Sequence, residues 1–427
     1  MKGLIFTYFL TISGAFAGIF NPFYALCCYI ALALLYPPDL WNYSVPVRFV
    51  GGIGYSQVVA AGMILGWIFK GFGTWDFGKA KPILFFLVFN LIWMTLSSVL
   101  NGVLDYGAMD QIKQFLKLYL AFFIGLSLIT NVFRLKILLW VIILSQGFIC
   151  YELNMSYLNG FDRLAVIGFG GMDNNFFAVT IVISSILAFG MGLGERSILL
   201  KGIAFFLCVL QMHVIFISMS RGAMLSLLLS SVILFWFIPK KPSYILIFLV
   251  ALVAGSILAG PSVRNRFSTV FLEKSERDVS AQGRITSWKN CMKTMFQKPV
   301  YGIGLRQWLP YTQQNHGMMI EAHSMWMQAG AEQGVPGFLS LIGAFFLAGW
   351  KMRRLCSLKT PVPDPFIHSA AQMILASLFG FCIAAQFVSV FGLELAYYVI
   401  LASCIVLQIQ TKYDEYIDSS TVIEEMS

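Results

Sequence analysis

Charged residues are scarce in this sequence. Asp, Glu, Lys and Arg make up 11% of its 427 residues and hydrophobic residues 58%, whereas a soluble domain of ordinary composition carries roughly 25% charged residues. Several apolar runs approach the roughly 20 residues that cross a bilayer as a helix; they are 82–100, 115–130, 203–217, 244–258 and 372–388. Helices are the expected spanning elements because backbone polar groups in lipid must be bonded within the segment. The composition excludes a soluble protein and predicts a polytopic, all-α membrane protein.

Motifs for disulfides, metals and nucleotides are also missing. Most of the eight Cys lie in apolar runs and the one long polar segment holds only Cys291, so neither a disulfide framework nor a zinc site is expected. No Asp-x-Asp pair is predicted to face outward, which gives no support to a divalent metal held by clustered carboxylates. No Gly-x-Ser-x-Gly or Walker-type loop is present. The sequence thus predicts no metal and no cofactor.

The net charge of +9 reflects topology rather than nucleic-acid binding. Basic residues cluster in short connections between apolar runs, as they do in cytoplasmic loops. These residues are Lys70, Lys79, Lys81, Arg134, Lys136, Arg196, Lys201, Lys240, Lys241, Lys351, Arg353 and Arg354. The alternation of spans then places five segments outside, which are 37–50, 101–111, 154–172, 220–221 and the long segment from Pro261. We expect a lipid bilayer around the chain and no nucleic-acid partner.

This topology divides the chain into four parts. They are N-terminal transmembrane helices with short loops (1–260), a long and partly helical periplasmic loop (261–322), C-terminal transmembrane helices (323–410) and a cytoplasmic tail (411–427). The start of the chain is interpreted as a membrane anchor that is retained. Residues 3–36, broken at Asn21-Pro22, are too long for one crossing and short for two. The predicted total is therefore about 12 transmembrane helices.

The long loop departs from the charge rule, because it is rich in Arg and Lys although it is placed outside. Its basic residues are Arg264, Arg266, Lys274, Arg277, Arg284, Lys289, Lys293, Lys298 and Arg306. Long loops translocate regardless of charge. An exported basic loop indicates an anionic ligand, and a solvated surface is the alternative explanation.

Arg221 lies at the predicted outer junction of two spans, in Ser-Met-Ser-Arg-Gly-Ala. A guanidinium held at the membrane surface must find an anion or backbone carbonyls, and its planar fork of donors suits phosphate. An interfacial Arg that snorkels is the structural alternative. Arg221 is therefore a candidate phosphate ligand.

A helix is predicted to begin near Gly283 and to end at Pro299. The apolar residues that recur with helical spacing are Ile285, Trp288, Met292 and Met295. Such an amphipathic helix is expected to lie on the outer leaflet. Its Arg284, Lys289 and Lys293 would then bind lipid phosphates in general or one lipid diphosphate in particular.

His323 opens an apolar helix that breaks at Gly334-Val-Pro-Gly337, and His316 is the other His placed outside. An imidazole at the membrane surface can accept a proton from a hydroxyl or hydrogen-bond a phosphate, although a lone His also occurs at helix starts and interfaces. Asp173 and Asn174 have two interpretations as well. They would cap the next helix or hydrogen-bond sugar hydroxyls.

Taken together, these segments resemble the O-antigen ligase and Wzy-type polymerase superfamily of bacterial membrane glycosyltransferases. The ligase pattern of His, then Asn, Ser or Gln, nine residues and Gly-x-x-Gly is met by His323, Ser324, Gly334 and Gly337. Phe338 departs from the Gly, Thr or Tyr usually found next. Other pieces in the family's order are Ser220-Arg221-Gly222, Gly283-Arg284 with Trp288, and Pro299 with Gly302 and Gly304. The signature covers roughly residues 218–337.

Two N-terminal pieces, Tyr36-Pro-Pro-Asp-Leu-Trp41 and Gly171-Met-Asp-Asn-Asn175, are similar to the ligase variants found near exosortase systems. This finer resemblance implies work on exopolysaccharide or on protein O-glycosylation rather than on lipopolysaccharide.

The resemblance implies a GT-C-like enzyme of the bacterial inner membrane with a periplasmic active site. It implies metal-independent, inverting transfer of a glycan from undecaprenyl diphosphate to a hydroxyl of a glycan, lipid or protein acceptor, in the assembly of cell-surface polysaccharide or glycoconjugates. Arg221 and Arg284 would neutralise the leaving diphosphate, and His323 would act as a base or position the diphosphate. The residues expected to bind donor or substrate are Arg221, Arg284, Lys289, Arg306, Trp288, Asp173 and Asn174.

Two alternatives stay open. A Wzy-type polymerase uses the same donor but takes a second lipid-linked glycan as acceptor. A polysaccharide or lipid transporter would use the outer loop as a gate and predicts ionisable residues at mid-membrane depth, of which the apolar runs offer few besides His213. The sequence shows no internal repeat of the kind found in inverted-repeat transporters.

Overall fold

The computed structural model describes residues 2–41, 45–49, 52–240, 242, 244, 246 and 279–426. Within these residues the chain is helical apart from its connections and one isolated β-bridge between Phe169 and Met172. Most of the predicted apolar run 244–258 lies outside the described residues. So do the predicted basic residues Lys241, Arg264, Arg266, Lys274 and Arg277.

The helices have the following bounds. They are α1 (Lys2–Phe20), α2 (Pro22–Leu35), α3 (Pro37–Leu40), α4 (Tyr55–Phe69), a 3₁₀ turn (Gly78–Ala80), α5 (Lys81–Leu100), α6 (Tyr106–Leu128), α7 (Val132–Leu158), α8 (Arg163–Val166), α9 (Asn174–Gly194), α10 (Ile198–Ile217), α11 (Arg221–Phe237), α12 (Val279–Gln297), α13 (Trp308–His316), α14 (Met325–Leu355), α15 (Phe366–Ala384) and α16 (Glu394–Met426). Helix α16 thus continues past residue 410, where the cytoplasmic tail was predicted to begin.

Eight of the described helices are long and apolar enough to cross a membrane: α1, α5, α7, α9, α10, α14, α15 and α16. Three shorter apolar helices, α2, α4 and α11, have 14, 15 and 17 residues. The predicted all-α, multi-pass fold is confirmed. The predicted total of about 12 membrane-spanning helices is not.

Polar side chains set where several helices begin. Asp105, Asp173 and Ser220 precede α6, α9 and α11, and each side-chain oxygen accepts the backbone N–H three residues further on. These bonds satisfy donors that have no partner within the helix. The N-cap role predicted for Asp173 is confirmed.

The N-terminal residues form two helices rather than one. They separate at Asn21, whose side chain caps α2 by accepting the Tyr24 N–H at 3.4 Å, and Pro22 begins α2, where its missing N–H costs nothing. The hydroxyls of Ser13 and Tyr24 lie 3.3 Å apart. Together with the approach of Gly14 to Cys28, this makes α1 and α2 an antiparallel hairpin.

Small residues bring α1 and α4 into backbone contact. A Cβ added at Gly62 would overlap the Ala15 carbonyl, and one added at Gly66 would overlap the Gly18 carbonyl. Helix association in lipid depends on such close packing because lipid tails are as apolar as the side chains they would replace. The contact fixes α4, which matters for a cavity described below.

The centre of the bundle is α16, whose residues from Leu395 to Leu407 are buried. Its Tyr397 ring lies 5.7 Å from Phe115 of α6 and 6.0 Å from Phe345 of α14. A helix that is apolar all round is expected at such a central position. The other helices pack around it.

Basic residues of the short connections between helices lie at one end of the bundle. There Lys79 pairs with Asp414, Lys136 lies 3.6 Å from Glu195, and the last turn of α14 carries Arg353 and Arg354. We call this the basic end. The opposite end holds the start of α14 and is called the His323 end.

We predict that Gly62→Ala lowers the free energy of unfolding by about 1–3 kcal/mol, the usual cost of forcing a methyl group into a packed interface. The midpoint of thermal unfolding in detergent measures the effect. Gly202→Ala in α10 is the matched control, because a Cβ there has no atom within 4 Å and Ala favours helix over Gly. Equal losses in both variants would contradict the close α1–α4 contact.

Candidate active site

Helix α14 is interrupted by a break at Gly334, whose φ is 69° and ψ −170°. The break removes the helical partners of the carbonyls just before it. Residues 299–304, which we call the strap, supply substitutes, since Ile303 N–H donates to Ala331 O at 3.0 Å and Gly304 N–H donates to Glu332 O at 2.9 Å. The strap therefore joins the polar loop to the broken helix.

Helix α5 completes the set of hydrogen bonds at the break. Trp93 Nε1 donates to Gln333 O at 2.9 Å, and Ser97 Oγ donates to Glu332 O at 2.9 Å. Asn90 Nδ2 lies 3.1 Å from Gly337 O. Sequence reasoning missed Asn90 and Ser97 because they lie within an apolar run; polar residues inside a predicted span were the available signal.

The glycines of the predicted family pattern allow the strap and the broken helix to approach closely. A Cβ at Gly302 would lie 2.5 Å from Ala331 O, and a Cβ at Gly334 would lie 2.5 Å from Val300 O. Both residues have positive φ, which a residue with a Cβ adopts at a cost. Gly334 also has a ψ that is essentially restricted to glycine. The Gly-x-x-Gly and Pro-x-x-Gly-x-Gly pieces are therefore two halves of one contact.

We predict that Gly334→Ala destabilises the protein by more than about 2 kcal/mol, because it adds a backbone clash to an unfavourable φ. Gly317→Ala is the control, since Gly317 also has positive φ (73°) but no atom within 4 Å of an added Cβ. Thermal unfolding of the two variants separates clash from strain. A similar Tm for both variants would contradict the close contact between the strap and the break at Gly334.

His323 has φ 48°, which costs a non-glycine residue about 1–3 kcal/mol and is retained where the surroundings enforce it. The residues that follow His323 in the chain enforce this conformation. Ser324 caps α14 by accepting the Met327 N–H, and the Met325 N–H donates to Ala385 O at 2.9 Å and Val388 O at 3.1 Å. The start of α14 is thus held against the segment that follows α15.

Four predicted or neighbouring side chains surround His323. Trp288 Nε1 donates to the His323 carbonyl at 3.4 Å, and Glu321 Oε2 lies 3.6 Å from His323 Nδ1, an ion-pair rather than a hydrogen-bond distance. Arg284 and Asp173 are close enough to act on its charge. Burial lowers the pKa of His323, Arg284 lowers it further, and Glu321 and Asp173 oppose both.

Arg221 and Asn174 reach the same place through a chain of contacts. Asn174 Nδ2 donates to Ser218 O at 2.8 Å, which ties the start of α9 to the turn before α11. A Cβ at Gly222 would lie 3.0 Å from Phe387, and the Phe387 ring lies 6.1 Å from the Trp288 ring. The first turns of α9, α11 and α14 therefore meet at this cluster, at the end of the bundle where they begin.

Two predicted binding residues lie elsewhere on the loop. Lys289 is exposed on α12. Arg306 is exposed beside Asp105, and Gln307 Nε2 donates to the Asp105 carboxylate at 2.8 Å. The pKa of Asp105 is lowered, chiefly by the hydrogen bond from the Ala108 N–H and in part by the charge of Arg306. Neither residue has a described contact with His323, so their roles stay predictions.

Helix α12 is present as predicted, but only part of its predicted apolar face packs against the protein. Ser287, Cys291, Thr294 and Met295 are buried, whereas Met292 and Phe296 are exposed. Ser287 Oγ donates to Glu321 O at 2.7 Å. The apolar residues thus divide between a protein-facing side and an outer side, because the small polar face fits closely under the 321–323 segment.

The two N-terminal sequence pieces meet at a buried ion pair. Arg163 donates to Asp39 Oδ1 at 2.8 Å, and the Gly170 N–H donates to the other carboxylate oxygen. The Arg163 guanidinium lies 5.8 Å from the Phe169 ring centre. This pair fixes the loop that leads directly into Asp173. Sequence reasoning did not single out Arg163.

A mainly apolar groove of about 500 Å³ lies between α14 and α15. It runs from Met327 and Gln386, next to the His323 cluster, to Trp350 and Arg353 at the basic end. The remaining lining includes Trp326, Phe338, Ile342, Phe345, Phe346, Leu375 and Phe379. Its length and lining suit an extended hydrocarbon chain.

Over the residues that the structure describes, no group of three or more His, Cys, Asp or Glu side chains could hold a metal ion. The charges at the His323 cluster come from Arg284, Asp173 and Glu321 together with nearby Arg221. Metal independence stays a prediction.

The fold defines a multi-pass, all-helical membrane protein. Residues 203–342 match the family model described as O-antigen ligase. This stretch contains Arg221, Arg284 and His323, and it also contains the strap and the break at Gly334. The match agrees with the predicted resemblance to the O-antigen ligase and Wzy-type superfamily, and it supports ligase- or polymerase-type activity in general. No curated protein matches the chain.

Proposed function

We propose that the chain is an inverting glycosyltransferase that moves a glycan from a polyprenyl diphosphate, of the undecaprenyl type, to an acceptor hydroxyl. The observation that carries the proposal is the meeting of His323, Arg284 and Trp288 one helical turn before Met327, which lines the apolar groove. A substrate with a hydrocarbon tail and a charged head would place its tail in the groove and its diphosphate at the cluster.

In this mechanism the acceptor oxygen attacks the anomeric carbon. A new C–O bond forms while the bond from that carbon to the diphosphate oxygen breaks, and the lipid diphosphate leaves with the electron pair. Arg284 and Arg221 stabilise the charge that develops on the leaving group, which makes a metal unnecessary. The acceptor proton passes to His323.

Glu321 is a positioning residue in this scheme. Its carboxylate faces Nδ1 of His323 at 3.6 Å, so that a small movement would form a hydrogen bond and leave Nε2 as the proton acceptor. A carboxylate that orients an imidazole in this way is a recurrent arrangement in acid–base catalysis. We propose further that the His323 end faces the periplasm of an inner membrane, because the basic residues of the short connections lie at the other end and long loops translocate regardless of charge.

Purified protein reconstituted with an undecaprenyl-diphosphate-linked glycan, a panel of acceptors and a chelator tests the proposal. We predict that wild type releases undecaprenyl diphosphate and that Arg284→Ala, Arg221→Ala and His323→Ala each reduce release about 10²–10⁴-fold. His316→Ala and Lys298→Ala, which change exposed residues of the same loop, should keep the wild-type rate.

The acceptor that gains mass separates a ligase from a polymerase, whose acceptor is a second lipid-linked glycan. If no acceptor leads to release of lipid diphosphate and the lipid-linked sugar is flipped instead, the proposed enzyme activity is wrong and a transporter is favoured. Equal losses of lipid diphosphate release in the His316 and His323 variants would contradict the assignment of the active site to the His323 cluster.

The pH dependence gives a further prediction. The pKa of His323 is lowered, mainly by burial, so its neutral form is present at neutral pH. The rate should fall as the pH drops through a value below about 6.5, the ordinary pKa of His. Glu321→Gln removes a carboxylate that favours the charged imidazole, so the acid limb should move to lower pH.

Initial rates of lipid diphosphate release against pH measure both effects. A limb that moves to higher pH in Glu321→Gln, or one that persists in the residual activity of His323→Ala, would contradict the assignment of His323 as the base.

A further inference from the structure

A second cavity, of about 750 Å³, lies between α2, α4, α6 and the start of α16. Its lining differs from that of the apolar groove, because side chains with hydrogen-bonding groups converge on it from several elements. They are Tyr29, Tyr36, Arg48, Ser56, Gln57, Gln114, Lys117 and Glu394. The proposed transfer reaction as described so far uses none of them.

Hydrogen bonds in the cavity wall orient two of these groups. Tyr398 donates to Glu394 Oε2 at 2.8 Å, which leaves Oε1 on the other side of the carboxylate. Gln57 Oε1 accepts the Gly54 N–H at 3.0 Å, so the Nε2 donor points away from Gly54. Lys117 is close enough to interact with the Glu394 charge. The wall thus offers both donors and an acceptor.

Two of the lining residues are unusual for their location. Glu394 begins a membrane-spanning helix, and Lys117 lies three turns into α6. Ionisable residues inside an apolar bundle are costly and occur where they face a polar cavity or serve a function. Both residues line this cavity, which suits a polar ligand.

The cavity is next to the His323 cluster. Residues 385–394 separate the two, since the Ala385 and Val388 carbonyls hold Met325 and Gly392 and Glu394 line the cavity. Gln386 of the same segment lines the apolar groove. The groove and the cavity are therefore both bordered by one short segment beside His323.

We propose that this cavity binds the carbohydrate of the acceptor. Sugar hydroxyls both donate and accept hydrogen bonds, which Glu394, Lys117 and Gln57 complement. The volume is within the range of about 300–1,000 Å³ typical of small-molecule sites. The donor lipid requires an apolar path, which the groove supplies. This inference rests on the proposed function.

Kinetics with the acceptor that gains mass provide the first test. Lys117→Met should raise the acceptor KM about tenfold, as expected for the loss of a hydrogen bond from a charged donor, while the KM for the lipid-linked donor stays unchanged. Lys113→Met, one turn earlier on α6 and outside the cavity lining, is the control. Ala61→Trp fills the cavity and should act like Lys117→Met, whereas Ala61→Ser should not.

An unchanged acceptor KM in both Lys117→Met and Ala61→Trp would overturn the inference. A raised KM for the lipid-linked donor in Lys117→Met would overturn it as well, because the cavity would then serve the donor.

A binding test that needs no catalysis separates this inference from the proposed function. Ala61→Cys should be labelled by a membrane-impermeant maleimide, with wild type as the background for the native Cys residues. Cellobiose, chitobiose and a hexuronic acid disaccharide are the probes. Protection by a disaccharide that Lys117→Met abolishes supports a carbohydrate site even if wild type releases no lipid diphosphate. Labelling that no disaccharide slows overturns it.

Discussion

The structure depends on the requirement that a broken helix in an apolar environment must have its backbone groups satisfied. An unpaired carbonyl in lipid costs several kcal/mol, and the break at Gly334 removes the partners of several carbonyls together. The strap and α5 provide replacements from distant parts of the chain. Because this requirement allows few solutions, the polar loop is held to the bundle in one position.

The contact between the strap and the break also positions side chains of the candidate site. The strap follows α12, and α12 carries Arg284 and Trp288, so anchoring the strap at the break brings both side chains to the start of α14. His323 is held there in a strained conformation by the bonds of Ser324 and Met325. Strain at such a residue persists only when its neighbours fix it. The break, the strap and the strained His are therefore parts of one arrangement.

Charged residues at this end of the bundle differ in burial, and this difference decides what each can do. The Asp39–Arg163 pair is buried and bonded, so it serves to hold the loop before Asp173. Arg284 and Glu321 are closer to solvent beside His323, where they can meet a substrate. Between the apolar groove and the polar cavity, residues 385–394 would then separate a lipid-linked donor from a hydroxyl-bearing acceptor.

Much of the fold follows from local sequence. Apolar runs of suitable length gave the helices, Asp173 and Pro22 marked helix starts, and the Gly334-Val-Pro-Gly337 pattern marked the break. These features depend on bonds between residues a few positions apart, which composition and spacing report directly. The number of crossings did not follow, because apolar helices as short as α2 and α4 fall below the length that a span requires.

The sequence by itself determined the class of protein and the identity of His323, Arg221 and Arg284 as candidates. Only the tertiary structure decided that Trp288, Glu321 and Asp173 join His323, that Arg306 lies instead beside Asp105, and that Asn90 and Ser97 seal the break. The same holds for the face with which α12 packs. The physical reason is that these contacts join residues far apart in the chain. Their partners are set by how the helices pack, and the periodicity of one segment contains no information about the segment it meets.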